Sequence, residues 1–158
     1  MTRLAITGHR ELSVPTERLV DAALREVVNE RDAGELVGLS CIADGADTLF
    51  AQAVLDAGGS LVVVVPAAEY RDGLPESHHF TYDALLSSAT RVIELDHTES
   101  DSEAHMDASV RMIAEADELI AVWDGKPARG YGGTADVVGV ARERNLPVTV
   151  VWPDGASR

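Results

Sequence analysis

Apolar residues of this chain cluster in short runs, which alternate with segments where they recur at every third or fourth position. The runs are typical of buried strands, and the spaced segments are typical of amphipathic helices. Strands are predicted at residues 4–7, 35–43, 61–65, 91–95, 119–123 and 148–152. Helices are predicted at residues 16–31, 48–57, 80–88 and 102–116, and a last helix is predicted to begin at Thr134.

This regular alternation predicts an α/β fold with one doubly wound, mostly parallel sheet of about six strands. The run 61–65 is wholly aliphatic, as expected for a central strand that is covered on both faces. The run 91–95 is weaker and suits an edge strand. Parallel strands need crossover helices, so we expect helices on both faces of the sheet. We expect a single Rossmann-like domain over residues 1–158.

The loops that leave the strands are the candidate site, because ligands of doubly wound sheets bind at the carboxyl ends of the strands. Three of these loops carry glycines or charged residues. Together with the last residue of the fifth strand they supply the candidate ligand-binding residues: Gly8, His9, Arg10, Asp44, Gly45, Asp47, Trp123, Asp124, Arg129, Gly130, Gly132, Gly133 and Thr134.

The segment GYGGT, residues 130–134, predicts a phosphate-binding turn. It joins a buried strand to a helix whose first N–H groups lack partners within the helix, and the helix dipole favours an anion there. Glycines let a phosphate approach the backbone closely. The alternative is an ordinary strand-to-helix turn with Thr134 as its N-cap. Lys126 and Arg129 either hold the phosphate or are simply solvated.

Several polar residues near these loops have two interpretations each. His9 either contacts the ligand or lies exposed on the surface. Asp44 is a candidate cap of the following helix, and Asp47 either shares that role or accepts hydrogen bonds from a ribose or a base. His78 and His79 are expected to be an exposed loop pair, which is a poor arrangement for chelating a metal ion. We therefore predict no metal site.

The net charge changes the expected partners. The chain has 13 Lys and Arg residues against 27 Asp and Glu, which gives a net charge of −14. Proteins that bind nucleic acid gain affinity by neutralising phosphates with basic side chains, so we expect no nucleic-acid partner. An anionic membrane surface is disfavoured for the same reason. A small phosphorylated ligand is compatible with the charge, because local backbone dipoles can oppose the global field.

The remaining sequence features point to a cytoplasmic protein without a bound cofactor. Cys41 is the single cysteine, so no disulfide forms within the chain, and its place in an apolar strand favours a buried side chain over a nucleophile. The N-terminus does not have the layout of a signal peptide, and no apolar run is long enough to cross a bilayer. The dinucleotide-binding and P-loop glycine motifs are absent.

Three segments carry a resemblance to a known superfamily. They are ITGHR (6–10), SCIADGAD (40–47), and ADELIAVW (116–123) followed by GYGGT. In order and spacing they resemble the Rossmann-like superfamily that includes DprA, the LOG phosphoribohydrolases and the SLOG nucleotide-sensor domains, and above all a small stand-alone SLOG-type protein. The resemblance implies a nucleotide-derived ligand over the strand ends. It also implies a homodimer, with the helices at 16–31 and 102–116 as candidate surfaces.

Catalysis is a separate question, because the chain departs from the LOG motif. The LOG glycine turn is followed by a catalytic Glu three residues after its Thr, and Val137 stands at that position here. Asp136 and Arg111 are therefore the only weak catalytic candidates. The sequence favours a binding or sensing protein for a phosphorylated nucleotide-type ligand. One alternative is an N-glycosidase that acts on a nucleoside monophosphate, with Asp136, Arg111 and Asp47 as its plausible acid-base and positioning groups. The other is a structural or partner-binding protein with a vestigial pocket.

Overall fold

The structure, a computed structural model, describes all residues from 1 to 158 and contains one six-stranded sheet with five α-helices. The strands are β1 (Thr2–Gly8), β2 (Leu36–Ser40), β3 (Ser60–Val65), β4 (Arg91–Glu94), β5 (Glu118–Val122) and β6 (Val148–Val151). The helices are α1 (Val14–Asn29), α2 (Ala46–Asp56), α3 (His79–Ser88), α4 (Ser102–Glu115) and α5 (Thr134–Glu143). Each predicted element exists, and α1 begins where Ser13 accepts a hydrogen bond from the backbone N–H of Thr16.

The sheet is parallel throughout, with the strand order β4-β3-β2-β1-β5-β6. The chain builds outward from β1 to β4, which is the edge strand expected from its sequence, and then returns to place β5 on the other side of β1. The order therefore reverses between β1 and β5. In such sheets this reversal opens a crevice at the carboxyl ends of the strands, where ligands bind.

Two apolar clusters hold the helices against opposite faces of the sheet. Helices α1 and α2 pack together over one face, where Leu24, Phe50 and Val54 meet apolar residues of the strands. Helices α4 and α5 pack together over the other face, where Met112 and Val138 lie in a larger cluster with Ala5 and Leu119. Burial on both faces explains why the central strands are almost wholly apolar. The predicted doubly wound α/β fold is confirmed.

Two details of the connections differ from the sequence prediction. The stretch between β3 and α3 contains a short 3₁₀ turn, Glu76–His78, which the sequence pattern did not indicate. Helix α5 is capped at Gly133 rather than at Thr134, and no side chain completes that cap. No helix in the structure combines the length and the apolar character that crossing a membrane requires.

Candidate functional site

A cavity of about 120 Å³ lies over the carboxyl ends of the central strands. Its floor comes from the ends of β1 and β2 and from the residues that follow β3, its side wall comes from α4, and the turn before α5 borders its rim. The lining residues are Ile6, Thr7, Gly8, Arg10, Cys41, Ala43, Asp47, Pro66, Tyr70, His105, Ser109, Met112 and Gly132. The cavity therefore lies where the fold predicts a ligand.

The loop between β2 and α2 forms a rigid wall of the cavity. Ile42 is fully buried and has a positive φ of 48°, which is unusual for a β-branched residue. Its backbone N–H donates to Ser40 Oγ over 2.9 Å, and its carbonyl oxygen accepts from His78 Nε2 over 2.9 Å. Thr48 Oγ1 donates to the carbonyl of Ala43 over 2.6 Å. These bonds come from three separate elements, so they fix a conformation that the loop alone would not adopt.

His78 is a buried anchor of this wall, and the expectation of an exposed histidine pair is wrong at this position. Only 8 % of His78 is exposed, and its Nε2 must carry the proton because the carbonyl of Ile42 can only accept. The same nitrogen lies 3.4 Å from Thr48 Oγ1. The 3₁₀ turn that follows β3 is therefore fastened to the loop that follows β2.

Asp47 supplies the carboxyl group of the cavity. One of its oxygens, Oδ2, accepts a hydrogen bond from the backbone N–H of Ala43 over 3.3 Å. Burial raises the pKa of Asp47 to about 7, although the bond from Ala43 and the positive charge of Arg10 oppose the rise. A carboxyl group in this position changes its protonation state near neutral pH. It can accept a hydrogen bond from a ligand when ionised and donate one when protonated.

Three residues that line the cavity carry hydroxyl groups without a hydrogen-bond partner in the chain. They belong to Thr7, Tyr70 and Ser109, which come from β1, from the segment after β3, and from α4. None of them makes a side-chain hydrogen bond within the chain, and no fully buried polar side-chain atom lacks a partner, so each hydroxyl is accessible to solvent. Sequence reasoning did not identify these residues. Hydroxyl side chains are common and carry no motif, so only the fold could bring them together.

His105 completes the α4 side of the cavity. Its Nε2 lies 2.8 Å from Ser100 Oγ, and its ring makes an edge contact with Tyr70 at 5.7 Å between ring centres. Burial, followed by the positive charge of Arg10, lowers the pKa of His105. The ring is therefore kept neutral, which leaves Asp47 and Arg10 as the charged residues of the lining.

The turn before α5 reaches the rim of the cavity through Gly132, whose φ is +84°. The backbone N–H of Gly132 donates to Asp136 Oδ2 over 3.0 Å, so a carboxylate of the chain already lies at this end of α5. The N–H groups of Thr134 and Ala135 have no partner within the chain. They are the donors that an anion would find at this helix N-terminus.

His9 lies behind the cavity rather than in it. It is 4 % exposed, its Nε2 accepts a hydrogen bond from the backbone N–H of Asp124 over 3.1 Å, and its ring makes an edge contact with Trp152. Burial lowers the pKa of His9, which keeps Nε2 free to accept. His9 therefore ties the loop after β1 to the loop after β5, so the expectation of an exposed His9 is wrong.

The other predicted site residues separate into distinct places. Of the thirteen candidates, Gly8, Arg10, Asp47 and Gly132 line the cavity. Asp44 does not cap α2, because its two carboxylate oxygens accept hydrogen bonds from the loop between β1 and α1. Its Oδ1 lies 2.9 Å from Arg10 Nε, and its Oδ2 lies 3.4 Å from the backbone nitrogen of Glu11. Trp123 donates its indole N–H to the carbonyl of Lys126.

The loop between β5 and α5 is mostly exposed. Asp124 Oδ1 accepts from the N–H of Lys126 over 3.0 Å and so shapes the beginning of the loop. Arg129 and Gly130 are exposed, and Tyr131 is 66 % exposed. Gly133 has an ordinary φ of −70°, but a Cβ atom there would lie 2.8 Å from the Cβ of Ala128.

Neither catalytic candidate lines the cavity. Arg111 Nε donates a hydrogen bond to Glu115, one turn further along the exposed side of α4. The carboxylate of Asp136 accepts a hydrogen bond from the backbone N–H of Gly132. The structure also brings no three His, Cys, Asp or Glu side chains together in a group that could hold a metal ion.

Comparison with known proteins places the fold. No protein-family model and no curated protein sequence matches the chain. The structure superimposes on DprA from Streptococcus pneumoniae with a TM-score of 0.71 and 18 % sequence identity, over 98 % of this chain and 52 % of the other. The fold is that of the DprA-like Rossmann proteins. The resemblance to the SLOG-type proteins of this superfamily is therefore confirmed for the fold, and the chain spans about half the length of the pneumococcal DprA.

Two further structures show how widely this DprA-like fold is used. DprA from Helicobacter pylori, described as binding single-stranded DNA, has a TM-score of 0.70 at 16 % identity, over 99 % of this chain and 68 % of the other. The molybdenum cofactor binding protein of Rippkaea orientalis has a TM-score of 0.60 at 14 % identity, over 97 % and 77 % of the two chains. At these identities the likeness establishes the fold alone.

The exclusion of nucleic acid that followed from the net charge is wrong. A protein with this fold binds single-stranded DNA in Helicobacter pylori, so neither the architecture nor an average over the chain rules out such a partner. The physical reason is that binding depends on the local surface, whereas net charge sums over the whole molecule.

Proposed function

We propose that this protein binds a nucleotide-type small molecule over the carboxyl ends of β1, β2 and β3, as a sensor or binding module. The observation that carries this proposal is the meeting of two complementary features. One is a cavity whose lining includes Thr7, Tyr70, Ser109 and Asp47. The other is the beginning of α5 at its rim, with two free backbone donors.

The cavity suits one ring of the ligand. Its volume of about 120 Å³ is similar to the ~150 Å³ of an engineered cavity that binds benzene. Its lining differs from such a cavity because several hydroxyls and a carboxyl group converge inside it. A base or a ribose presents both donors and acceptors at its edge, so it can satisfy these groups together with the ring contacts of Tyr70.

The phosphate is expected at the beginning of α5. The N–H groups of Thr134 and Ala135 are available there, and the partial positive charge of the helix terminus favours an anion. Asp136 keeps its bond to Gly132 in this arrangement and holds the turn in place. Arg10, at the cavity lining, supplies a positive charge although it is paired with Asp44 at 2.7 Å.

Binding without turnover is the better supported form of this function. An N-glycosidase needs an acid or base beside the bond that breaks. Asp136 and Arg111, two of the residues considered for that role, are bonded to Gly132 and Glu115 outside the cavity. Asp47, the third, lines the cavity, so the test below includes release of free base. The expected outcome is binding of a nucleotide with no release of free base.

Calorimetry with AMP, GMP, CMP and UMP tests the proposal, with chromatography of the mixtures to detect free base. Tyr70→Phe removes one cavity hydroxyl and should weaken binding of the nucleotide that responds by about tenfold. Tyr82→Phe is the matched control, because Tyr82 is equally buried beside Tyr70 but does not line the cavity. Equal losses in both variants, or binding by none of the four nucleotides, would contradict the proposal. Steady release of base would favour the N-glycosidase instead.

Assembly as a homodimer remains a prediction, with the outer faces of α1 and α4 as candidate surfaces. Symmetric dimers are the commonest oligomers of soluble proteins. Sedimentation at micromolar concentration should give twice the chain mass of 16.8 kDa, and a clean monomer would contradict this prediction.

A further inference from the structure

We infer that the ligand carries more than one phosphate, and that a cluster of Arg10, Arg129 and Arg158 beside the cavity binds the phosphates beyond the first. This inference rests on the proposed nucleotide site and names the chemical class of its ligand as a nucleoside diphosphate or triphosphate.

The arginine cluster lines a cleft that adjoins the cavity. The cleft has a volume of about 340 Å³ and is lined by the three arginines and Glu11. Arg10 also lines the cavity itself, so the two spaces share a wall. Arg129 and Arg158 continue into a second cleft of about 270 Å³, where Lys126 joins them. Arg10 therefore borders both the cavity and the cleft that the other two arginines line.

This concentration of cations stands out in a chain with a net charge of −14. Most basic side chains elsewhere are closely paired with carboxylates, as Arg71 is with Asp83 at 2.7 Å. Arg129 and Lys126 are both exposed, and neither takes part in an ion pair. Arg158 reaches its carboxylate, Asp124, only at 3.8 Å. Arg10, the third member of the cluster, is paired with Asp44 at 2.7 Å, and Glu11 also lines the cleft. The positive charge available to a ligand therefore belongs mainly to Arg129 and Arg158.

The positive charge of the cluster also affects His9 in the protein interior. After burial, the nearby charges of Arg158 and Arg129 contribute to lowering the pKa of His9, which lies beneath the loops that carry the cluster. A guanidinium group binds two phosphate oxygens with parallel hydrogen bonds, and these bonds are stronger than those between neutral groups. Two sets of anion donors then exist: backbone N–H groups at α5 and guanidinium groups in the cleft. A chain of phosphates carries more than one anionic group, so each set of donors can bind a phosphate of its own.

The experiment compares AMP with ADP and ATP, and GMP with GDP and GTP, by calorimetry at low salt. We expect the diphosphate to bind about tenfold more tightly than the monophosphate, the effect of one charge-assisted bond. Arg129→Ala and Arg158→Ala should each reduce this diphosphate preference severalfold. Arg144→Ala is the matched control, because Arg144 is an exposed arginine without an ion pair at the far end of α5. It should leave the preference unchanged.

The outcomes separate this inference from the proposed function. Monophosphate binding with no gain from a second phosphate would overturn the inference and leave the proposed nucleotide site intact. Failure of every nucleotide to bind would overturn both. An equal loss of preference in Arg144→Ala would reduce the effect to general electrostatics and overturn the inference. Binding of oligothymidylate that depends on Arg129, without a gain for ADP, would assign the cluster to a nucleic-acid backbone and overturn it as well.

Discussion

The two loops that border the cavity are held in opposite ways. The loop between β2 and α2 is largely buried, and Ser40, Thr48 and His78 fix its backbone through hydrogen bonds from three elements. The loop between β5 and α5 is mostly exposed, and short-range bonds such as those from Gly132 to Asp136 and from Lys126 to Asp124 shape it. The first loop leads into α2, whose Asp47 lines the cavity, whereas the second loop reaches the cavity only through Gly132 and carries Lys126 and Arg129 outside it.

This difference indicates that the two loops have different roles at the candidate site. A buried loop with a strained residue keeps its conformation only because its surroundings determine it, so it provides a preformed wall for a ring. An exposed loop with few packed contacts has low local stability and can adjust to the ligand. If the protein binds a nucleotide as proposed, the strong geometric demands of ring recognition fall on the first loop, and the weaker demands of phosphate binding fall on the second.

Gly45→Ala, in the loop between β2 and α2, is expected to have the largest effect on the free energy of unfolding, and it tests this comparison most strongly. Gly45 has φ +90° and ψ −135°, and a Cβ atom there would lie 2.6 Å from the carbonyl oxygen of His9. Backbone strain and overpacking together should lower the free energy of unfolding by about 3–5 kcal/mol. Urea denaturation of the two proteins measures this loss.

The matched control is Gly130→Ala in the exposed loop. A Cβ atom at Gly130 would meet nothing within 4 Å. The change should alter the free energy of unfolding by less than about 0.5 kcal/mol. If the two alanine variants lost similar stability, the contrast between a fixed and an adaptable loop would be wrong.

An intermediate effect on the free energy of unfolding is expected from Asp47→Asn, and this effect should depend on pH. Because burial raises the pKa of Asp47 to about 7, the folded state holds a proton between pH ~4 and ~7 that the unfolded chain has lost. Asp47 thus favours folding at low pH, and this contribution disappears as the pH rises through 7. Asparagine stays neutral, so the variant should be more stable than the wild type by about 2 kcal/mol at pH 8.

The same two proteins should become similar in stability as the pH falls below ~4, where Asp47 becomes protonated in both states of the wild type. Urea titrations at pH 4, 6 and 8 measure the difference between the two proteins, which removes the contributions of other titrating groups. A difference that is independent of pH would show that Asp47 does not titrate in the cavity.

The smallest of these effects is expected at His78, which anchors the buried loop from outside. His78→Phe keeps the ring but leaves the buried carbonyl of Ile42 without its donor, at a cost of about 1–2 kcal/mol. His78→Gln retains an N–H donor and should recover part of this loss. Nucleotide affinity should follow the same order if His78 positions the wall. Unchanged affinity in His78→Phe, with the fold intact, would remove the loop's role as a preformed wall.

The architecture was largely predictable from the chain because it depends on periodicity. The all-aliphatic run that became β3 and the spaced apolar positions of α1 each bury a face that only one kind of element provides. The carboxyl-end location of the site followed from the same argument, and Gly8, Arg10, Asp47 and Gly132 indeed line the cavity. The 3₁₀ turn with His78 was missed, since its conformation depends on a bond to Ile42 that is distant in sequence.

The sequence by itself thus determined the order of the elements, the parallel sheet and the edge where loops of chemical interest gather, because these follow from local patterns of burial and turn formation. Only the tertiary structure decided which side chains face one space. In the folded chain His9 is buried and links the loop after β1 to the loop after β5, and Asp44 is paired with Arg10. It also brought the hydroxyls of Tyr70 and Ser109 together, because packing between separate elements selects such neighbours and local pattern does not encode them.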